Sequence, residues 1–204
     1  MDNRNTSGSP NNNFGYRQII LASQSPRRRQ LLEWAEVAFE VVIIPTDETY
    51  PDNLPVDEVP VHIARQKALA VRSGITMDIE SVIIAADTIV VLNGRIIGKP
   101  GSAAEAFEIL SQLSGRSHQV ITGVCISGRE EVTFSDTTSV AFHELTPDEI
   151  WFYINKYKPY DKAGAYGIQE WIGVTGIKSI DGDFYNVMGL PVSRVLQVLK
   201  SGRI

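Results

Sequence analysis

The sequence is short of several features, and each shortage excludes a class of protein. Its 204 residues include one cysteine, Cys125, so an internal disulfide is excluded; Cys125 stands in an alternating apolar run and is expected to be structural and buried. No apolar stretch approaches the roughly 20 residues that span a bilayer, so no membrane association is expected. The net charge of −5 argues against a large nucleic-acid surface. The basic residues that matter for function must therefore be local.

Common catalytic signatures are missing as well. The chain has no Walker loop, no Rossmann glycine pattern and no nucleophile elbow, and its three histidines lack metal-ligand spacing. Residues 1–16 are polar and lack the apolar centre of a signal peptide, so we interpret them as the flexible tail of a cytoplasmic protein. Residues 17–204 are enough for one sizeable core and are expected to form a single domain.

Hydrophobic periodicity predicts strands and helices interleaved along this domain. Strands are expected over 18–22, 39–44, 81–92, 119–127 and 132–142, with a hairpin turn at Asn93-Gly94 and a strand pair over 177–187. Helices are expected to follow Ser25, Ser102 and Thr146 as caps, and to cover 60–73 and 191–200. Hairpins and crossovers together indicate the α/β class with a mixed sheet.

The first strand ends in a polar join, Ser23-Gln-Ser-Pro-Arg-Arg28, that opens a helix. Ser25 is a good N-cap, Pro26 suits the first helical position, and the free N–H groups of that turn carry the positive end of the helix dipole. Hydroxyls from Ser23 and Ser25, with guanidinium groups from Arg27 and Arg28, would complete a phosphate site. The alternative is that the serines only cap the helix and the arginines lie in solvent.

A carboxylate interrupts the most strand-like run of the chain. Asp87 follows five apolar residues, and an acid in that place must be paired, bind a cation or act as a base. Glu48 also follows a predicted strand, so the two acids could hold Mg²⁺ against phosphate oxygens. Countercharge for a polyphosphate would come from five basic residues: Lys67, Lys99, Lys162, Arg27 and Arg28.

Six motifs in chain order resemble the Maf family of nucleoside triphosphate pyrophosphatases. They are Ser23-Gln-Ser-Pro-Arg-Arg28, Ala86-Asp-Thr-Ile-Val90, Gly98-Lys-Pro100, Ser114-Gly-Arg-Ser-His-Gln-Val-Ile-Thr-Gly123, Asp161-Lys-Ala-Gly-Ala-Tyr-Gly-Ile-Gln169 and Asn186-Val-Met-Gly-Leu-Pro191. The resemblance implies an elongated mixed sheet with flanking helices, in two lobes around a deep cleft, similar to inosine triphosphate pyrophosphatases. It also implies hydrolysis of a nucleoside triphosphate to monophosphate and pyrophosphate with a divalent metal, Mg²⁺ or Mn²⁺.

The resemblance assigns roles to individual residues. It makes Asp87 the proton acceptor and adds Glu48 and Lys99 to the catalytic set. Lys67 and Lys99 are the phosphate-side lysines. One branch of the family favours dTTP and UTP, and Arg28, Thr88 and Gln169 match that branch. Glu170-Trp171, directly after Gln169, departs from the small residues expected there.

The chemistry of the bases agrees with that branch. Thymine and uracil present an N3–H donor beside carbonyl acceptors, and a glutamine amide, which both donates and accepts, can pair with that edge. The expected role is house-cleaning of nucleotide pools, and the expected ligand is a nucleotide substrate. Whether a second copy of the chain joins it in a homodimer is left open. The competing hypothesis is a nucleotide-binding regulator of septum formation with weak or no catalysis. Asp87 and Glu48 favour the enzyme, because acids beside bound phosphate only repel it unless they hold a metal or a proton.

Overall fold

The computed structural model describes residues 14–16, 18–202 and 204, and its centre is a seven-stranded mixed sheet. The strands are β1 (Gln18–Ala22), β2 (Glu40–Val41), β3 (Ser81–Leu92), β4 (Arg95–Ile97), β5 (Ser117–Ser127), β6 (Glu131–Phe142) and β7 (Ile177–Asp181). Their order is β2-β1-β3-β5-β6-β7, with β4 paired to the far end of β3. Strands β2, β1 and β3 run parallel, and the remaining pairs are antiparallel. The α/β class with a mixed sheet is therefore confirmed.

Helices cover both faces of this sheet. They are α1 (Pro26–Trp34), α2 (Val59–Gly74), α3 (Ala103–Leu113), α4 (Pro147–Tyr157), α5 (Trp171–Gly176), α6 (Phe184–Met188) and α7 (Val192–Lys200). The apolar side of α2 packs on one face through Ala64, Ala68 and Val71. The main core lies on the other face, where α1, α3, α4 and α7 contribute buried leucine, isoleucine and valine side chains. Among the described residues, no helix is both long and apolar enough to cross a membrane.

Strand register places the functional segments. Parallel strand β1 ends at Ala22, which pairs with Ala85 in β3, whereas β3 continues to Leu92. The chain after Ala22 therefore leaves the sheet beside the middle of β3, at the level of Asp87 and Thr88. These two are partly exposed in a strand whose other residues are all buried.

Local signals explain most of the helix boundaries. Ser102 accepts a hydrogen bond from the backbone N–H of Glu105, and Thr146 with Glu149 forms a complete capping box. Both helices begin where the sequence predicts. Cys125 is completely buried in β5, and burial raises the pKa of its thiol to about 12, so its structural interpretation is confirmed.

The structure corrects two predicted elements. The strand expected over 39–44 is only two residues long, and it is β2 at the edge of the sheet. Ile43 and Ile44 lie beyond its end and line a cleft instead. The strand pair expected over 177–187 is wrong in its second half, which is the short helix α6. Asp183 caps that helix through the N–H of Tyr185, and Gly189, with φ of 115°, ends it.

Of the predicted tail, residues 1–16, only residues 14–16 are among the described residues. Residues 1–13 lie outside them. Phe14 and Tyr16 are partly buried against the main core, and the Tyr16 hydroxyl donates to the Leu199 carbonyl over 3.2 Å.

Candidate active site

A cleft of about 500 Å³ opens beside the middle of the sheet. The β1–α1 join, the end of the 39–48 segment, α2, β3 and the loop after α4 all contribute to its wall. Every predicted site residue lines it: Ser23, Ser25, Arg27, Arg28, Glu48, Lys67, Asp87, Thr88, Lys99, Lys162 and Gln169. Residues separated by up to 146 positions in the sequence are thus brought into one cavity.

The β1–α1 join is organised by its two serines. The Ser23 hydroxyl accepts from the N–H of Ser25 over 3.2 Å, and the Ser25 hydroxyl accepts from the N–H of Arg28 over 3.5 Å. Ser25 is therefore the N-cap of α1, with Pro26 at the first helical position. The first turn of the helix faces the cleft, which is the placement that an anion-binding helix terminus requires.

Arg28 neither lies in solvent nor keeps a free guanidinium. The side chain is buried, and its Nε donates to the Gly189 carbonyl over 2.7 Å. Its Nη1 donates to the Ala86 carbonyl over 2.8 Å and to the Ser23 hydroxyl over 3.1 Å, and its Nη2 to the Thr88 hydroxyl over 2.9 Å. Burial lowers the pKa of this guanidinium, and the charge of Asp87 opposes that effect. Arg28 thus ties together three segments of the cleft wall.

The two predicted acids meet on one ammonium group. Lys67, from α2, places its Nζ 2.7 Å from Oε1 of Glu48 and 2.8 Å from Oδ1 of Asp87. Lys67 and Asp87 are mostly buried, and Glu48 is about half-exposed. Burial alone would raise the pKa of Glu48, but the hydrogen bond and charge of Lys67, with Lys99 and Arg28, outweigh it and lower the pKa.

The backbone at Glu48 is unusual. Its φ is 49°, in the left-handed region that a residue with a Cβ seldom adopts. The backbone turn directs the carboxylate to Lys67 across the cleft. Strain of this kind persists where surrounding structure fixes it, and functional sites are where it concentrates.

The donor set at this point fits a divalent cation. Two carboxylates converge on the place that a single positive charge occupies, and carboxylate oxygens are the ligands that Mg²⁺ and Mn²⁺ prefer. Within the described residues, no group of three or more His, Cys, Asp or Glu side chains could hold a metal ion. Mg²⁺ commonly uses one or two carboxylates and completes its shell with water and substrate phosphates, so a pair of acids is sufficient.

Further cations line the same cleft. Asp161 joins two of them, with Oδ2 3.2 Å from Nη1 of Arg27 and Oδ1 2.8 Å from Nζ of Lys162. Lys162 is buried and also lies 3.3 Å from Oε1 of Glu170. Lys99 is exposed in the loop after β4. Positive charges therefore line the cleft, and three of them, Lys67, Arg27 and Lys162, are paired with carboxylates.

Gln169 lines the cleft from a turn after α4. The turn spans Gly167 to Glu170 and is closed by the Glu170 N–H donating to the Gly167 carbonyl over 3.0 Å. Gln169 is exposed and lines the cleft. The preceding residues Gly164 and Ala165 both have positive φ, 71° and 58°, which turns the chain sharply before it reaches this point.

Three residues that support the site escaped the sequence analysis. Asp161 is the first residue of the 161–169 motif, and Glu170 directly follows that motif. Tyr153 stands on the apolar side of α4 like any core residue. Each contacts a site residue or its backbone: Arg27 and Lys162 for Asp161, Lys162 for Glu170, and Gly167 for Tyr153. No sequence pattern distinguishes a side chain that acts through a neighbour.

Cations and a pair of carboxylates in one cleft of a mixed α/β sheet define a protein that handles a polyphosphate. The chain belongs to the Maf family: residues 18–202 match the family model described as Maf-like protein. It is 51% identical over 186 residues to a "dTTP/UTP pyrophosphatase" of Phocaeicola vulgatus, covering 90% of this chain and 95% of that one. A protein of the same name from Cytophaga hutchinsonii is 51% identical over 183 residues, covering 89% and 83% of the two chains.

Likeness to solved structures is more distant. A nucleoside-triphosphatase / dITP/XTP pyrophosphatase from Mycobacterium abscessus aligns with 61% of this chain and 72% of its own, at 19% identity and a TM-score of 0.37. The family assignment rests on the family match and on the relatives that share half of their sequence with this chain.

Proposed function

We propose that this protein hydrolyses dTTP and UTP to the monophosphate and pyrophosphate and so clears these nucleotides from the cellular pool. The observation that carries the proposal is the meeting of Glu48 and Asp87 on Lys67, inside a cleft that also holds Arg27, Lys99 and Lys162. Relatives that share about half of their residues with this chain bear the name of this activity.

Asp87 is the general base in this proposal. A water molecule gives a proton to its carboxylate and attacks the α-phosphorus, and the bond from that phosphorus to the oxygen bridging to the β-phosphate breaks. The leaving group is pyrophosphate. Lys67 and Lys99 stabilise the negative charge that develops on the phosphate oxygens, which is the largest contribution such a site can make.

A divalent cation, Mg²⁺ or Mn²⁺, is held by Glu48 and Asp87 in this proposal. When bound, it neutralises phosphate charge and assists departure of pyrophosphate. With the acids holding the cation, the flexible stem of Lys67 would allow its ammonium to move from the acids toward the phosphates.

The base is recognised by Gln169, with Arg28 and Thr88 shaping the neighbouring wall. The glutamine amide pairs with the N3–H and a carbonyl of uracil or thymine, a pattern that cytosine reverses. A site built for one pattern leaves polar groups unpaired with the other, which discriminates strongly. A regulator without catalysis would need the cations and Gln169 but not the two acids, and no contact among residues 14–16, 18–202 and 204 favours it.

The test is product analysis with the purified protein. Incubated with Mg²⁺ and each of dTTP, UTP, CTP and ATP, it should release pyrophosphate and the monophosphate from the first two in preference to the others. Orthophosphate with a diphosphate as products would contradict the reaction, and equal rates on all four would contradict the substrate class. Location in the cytoplasm and a homodimer stay predictions, for fractionation and light scattering to test.

A further inference from the structure

The turn that carries Gln169 is held from outside the cleft by a tyrosine. Tyr153 projects from α4 and is completely buried, and it does not line the cleft, whereas Gly167 and Gln169 do. The Tyr153 hydroxyl accepts a hydrogen bond from the backbone N–H of Gly167 over 3.0 Å. It therefore fixes the first residue of the turn in place.

The same hydroxyl also fixes the last residue of the turn. It donates to Oε2 of Glu170, whose side chain folds back over Gly167. A Cβ on Gly167 would lie only 2.8 Å from Cδ of Glu170, so the glycine is required for this packing. Burial, with the bond to Glu170, raises the pKa of the Tyr153 hydroxyl, so it stays a donor to the carboxylate at every physiological pH.

The second oxygen of Glu170 extends the connection to the cations of the cleft. Oε1 lies 3.3 Å from Nζ of Lys162, which in turn lies 2.8 Å from Asp161. Glu170 is thus shared between the turn and a phosphate-side lysine. Its presence where small residues were expected gives this chain a link between the Gln169 turn and Lys162.

A fixed turn matters because a glutamine amide is ambiguous. Rotating the amide by half a turn exchanges its oxygen and its NH₂ group, so Gln169 could in principle pair with either uracil or cytosine. Selectivity then depends on the groups that surround the amide and set its orientation, and these meet it in the same way only if the turn stays in place. Loosening the turn would let the Gln169 side chain adapt to cytosine and so reduce the preference for uracil over cytosine.

We propose that Tyr153 and Glu170 are positioning residues for base selection, because together they hold the Gly167–Glu170 turn in the one place where Gln169 reads uracil or thymine but not cytosine. This inference rests on the proposed function for the identity of the bases. It adds two residues, neither of which lines the cleft, to those that determine specificity.

The experiment measures binding, so that it does not depend on turnover. Isothermal titration calorimetry with Mg²⁺ gives the Kd of α,β-methylene-UTP, of α,β-methylene-CTP and of pyrophosphate for four variants and the wild type. The variants are Tyr153→Phe, which removes the hydroxyl; Glu170→Ala, which removes its acceptor; Glu170→Gln, which keeps an acceptor of the same length; and Tyr157→Phe. The last is the matched control, since Tyr157 lies one turn along α4 and stacks on Tyr153.

The preference for the uracil analogue over the cytosine analogue should fall about fivefold in Tyr153→Phe, the effect of losing a hydrogen bond of ordinary strength. Glu170→Ala should lose part of the preference and Glu170→Gln should regain it, while Tyr157→Phe keeps the wild-type ratio. Pyrophosphate should bind Tyr153→Phe as it binds the wild type, whereas a general loss of structure would weaken both.

The inference is overturned by a wild-type ratio in Tyr153→Phe or, if that variant does not fold, by equal ratios in Glu170→Ala and Glu170→Gln. A wild-type protein with no preference between the two analogues overturns it as well. The proposed function fails separately, if the wild type binds the uracil analogue selectively but releases no pyrophosphate from UTP.

Discussion

The ammonium of Lys67 lies 2.8 Å from a carboxylate oxygen of Asp87, in the middle of the central strand. A buried acid in an apolar strand needs such a partner, and here the partner also holds Glu48. The arrangement places a carboxylate and its positively charged partner beside the cleft. Four predictions follow from the contacts around this point and from the cleft as a whole.

Replacing Asp87 by asparagine should abolish most of the activity while the protein still folds. The change keeps the shape of the side chain and removes its charge, and a general base contributes about 10²- to 10⁴-fold in rate. Lys67 retains Glu48 as a partner, so the loss of stability should be small. The kcat for UTP and the urea unfolding midpoint should be measured beside Asp47→Asn, an exposed acid next to Glu48. A folded Asp87→Asn with near-normal kcat would make Asp87 structural.

Replacing Lys67 by methionine should change how stability depends on pH. The pKa of Glu48 is below its ordinary value of 4.5 in the folded protein, so its ionised form stabilises the fold above about that pH. That stability is lost as the pH falls through the lowered pKa. Without Lys67, burial is opposed only by the more distant charges, and the stabilisation is diminished.

The melting temperatures of the wild type and Lys67→Met should therefore differ most near neutral pH and converge as the pH falls below about 4.5. In a Glu48→Gln background the pH-dependent part of this difference should shrink. A difference that is constant from pH 7 to pH 3 would mean that Glu48 does not depend on Lys67.

Replacing Arg28 by lysine should destabilise the fold. The guanidinium donates to two buried carbonyls, those of Ala86 and Gly189, as well as to two hydroxyls, and an ammonium cannot reach all four. Carbonyls left without a donor should lower the free energy of unfolding by roughly 2 to 4 kcal/mol. Arg29→Lys, at the exposed neighbouring position, should leave it unchanged. Equal urea midpoints for both variants would exclude the structural role of Arg28.

The elements predicted correctly are those with a long or strongly capped pattern. The sequence predicts β3 because most of its twelve residues are apolar, and ten of the twelve are buried. It predicts the start of α4 because that helix begins at a complete capping box. Helix α6 was missed because its five residues are too few for a helical period to show. Its boundaries are set by Asp183 and Gly189, whereas Asp181-Gly182, just before it, suits a turn between strands.

In the candidate site, too, the sequence predicts some features and not others. Asp87 was identified because a charge in an apolar strand is conspicuous, and Lys67 because it falls on the family pattern. The burial of Arg28 was not expected, since a run of three arginines at a helix start predicts solvent or phosphate as their partner. Its contacts with Ala86 and Gly189 join segments that only the folded chain brings together.

Replacing Gln169 by alanine should weaken discrimination among pyrimidines and leave phosphate binding intact. The residue is exposed and lines the cleft from a turn whose backbone is fixed, so the truncation should remove one amide and disturb little else. A hydrogen bond lost at a desolvated site costs about 1 to 3 kcal/mol, which corresponds to a rise in KM for dTTP and UTP. The measurement is the ratio of kcat/KM for UTP to that for CTP, with Gln30→Ala, an exposed change on α1 outside the cleft, as the control. An unchanged ratio would place the base elsewhere in the cleft, beside Arg28 and Thr88.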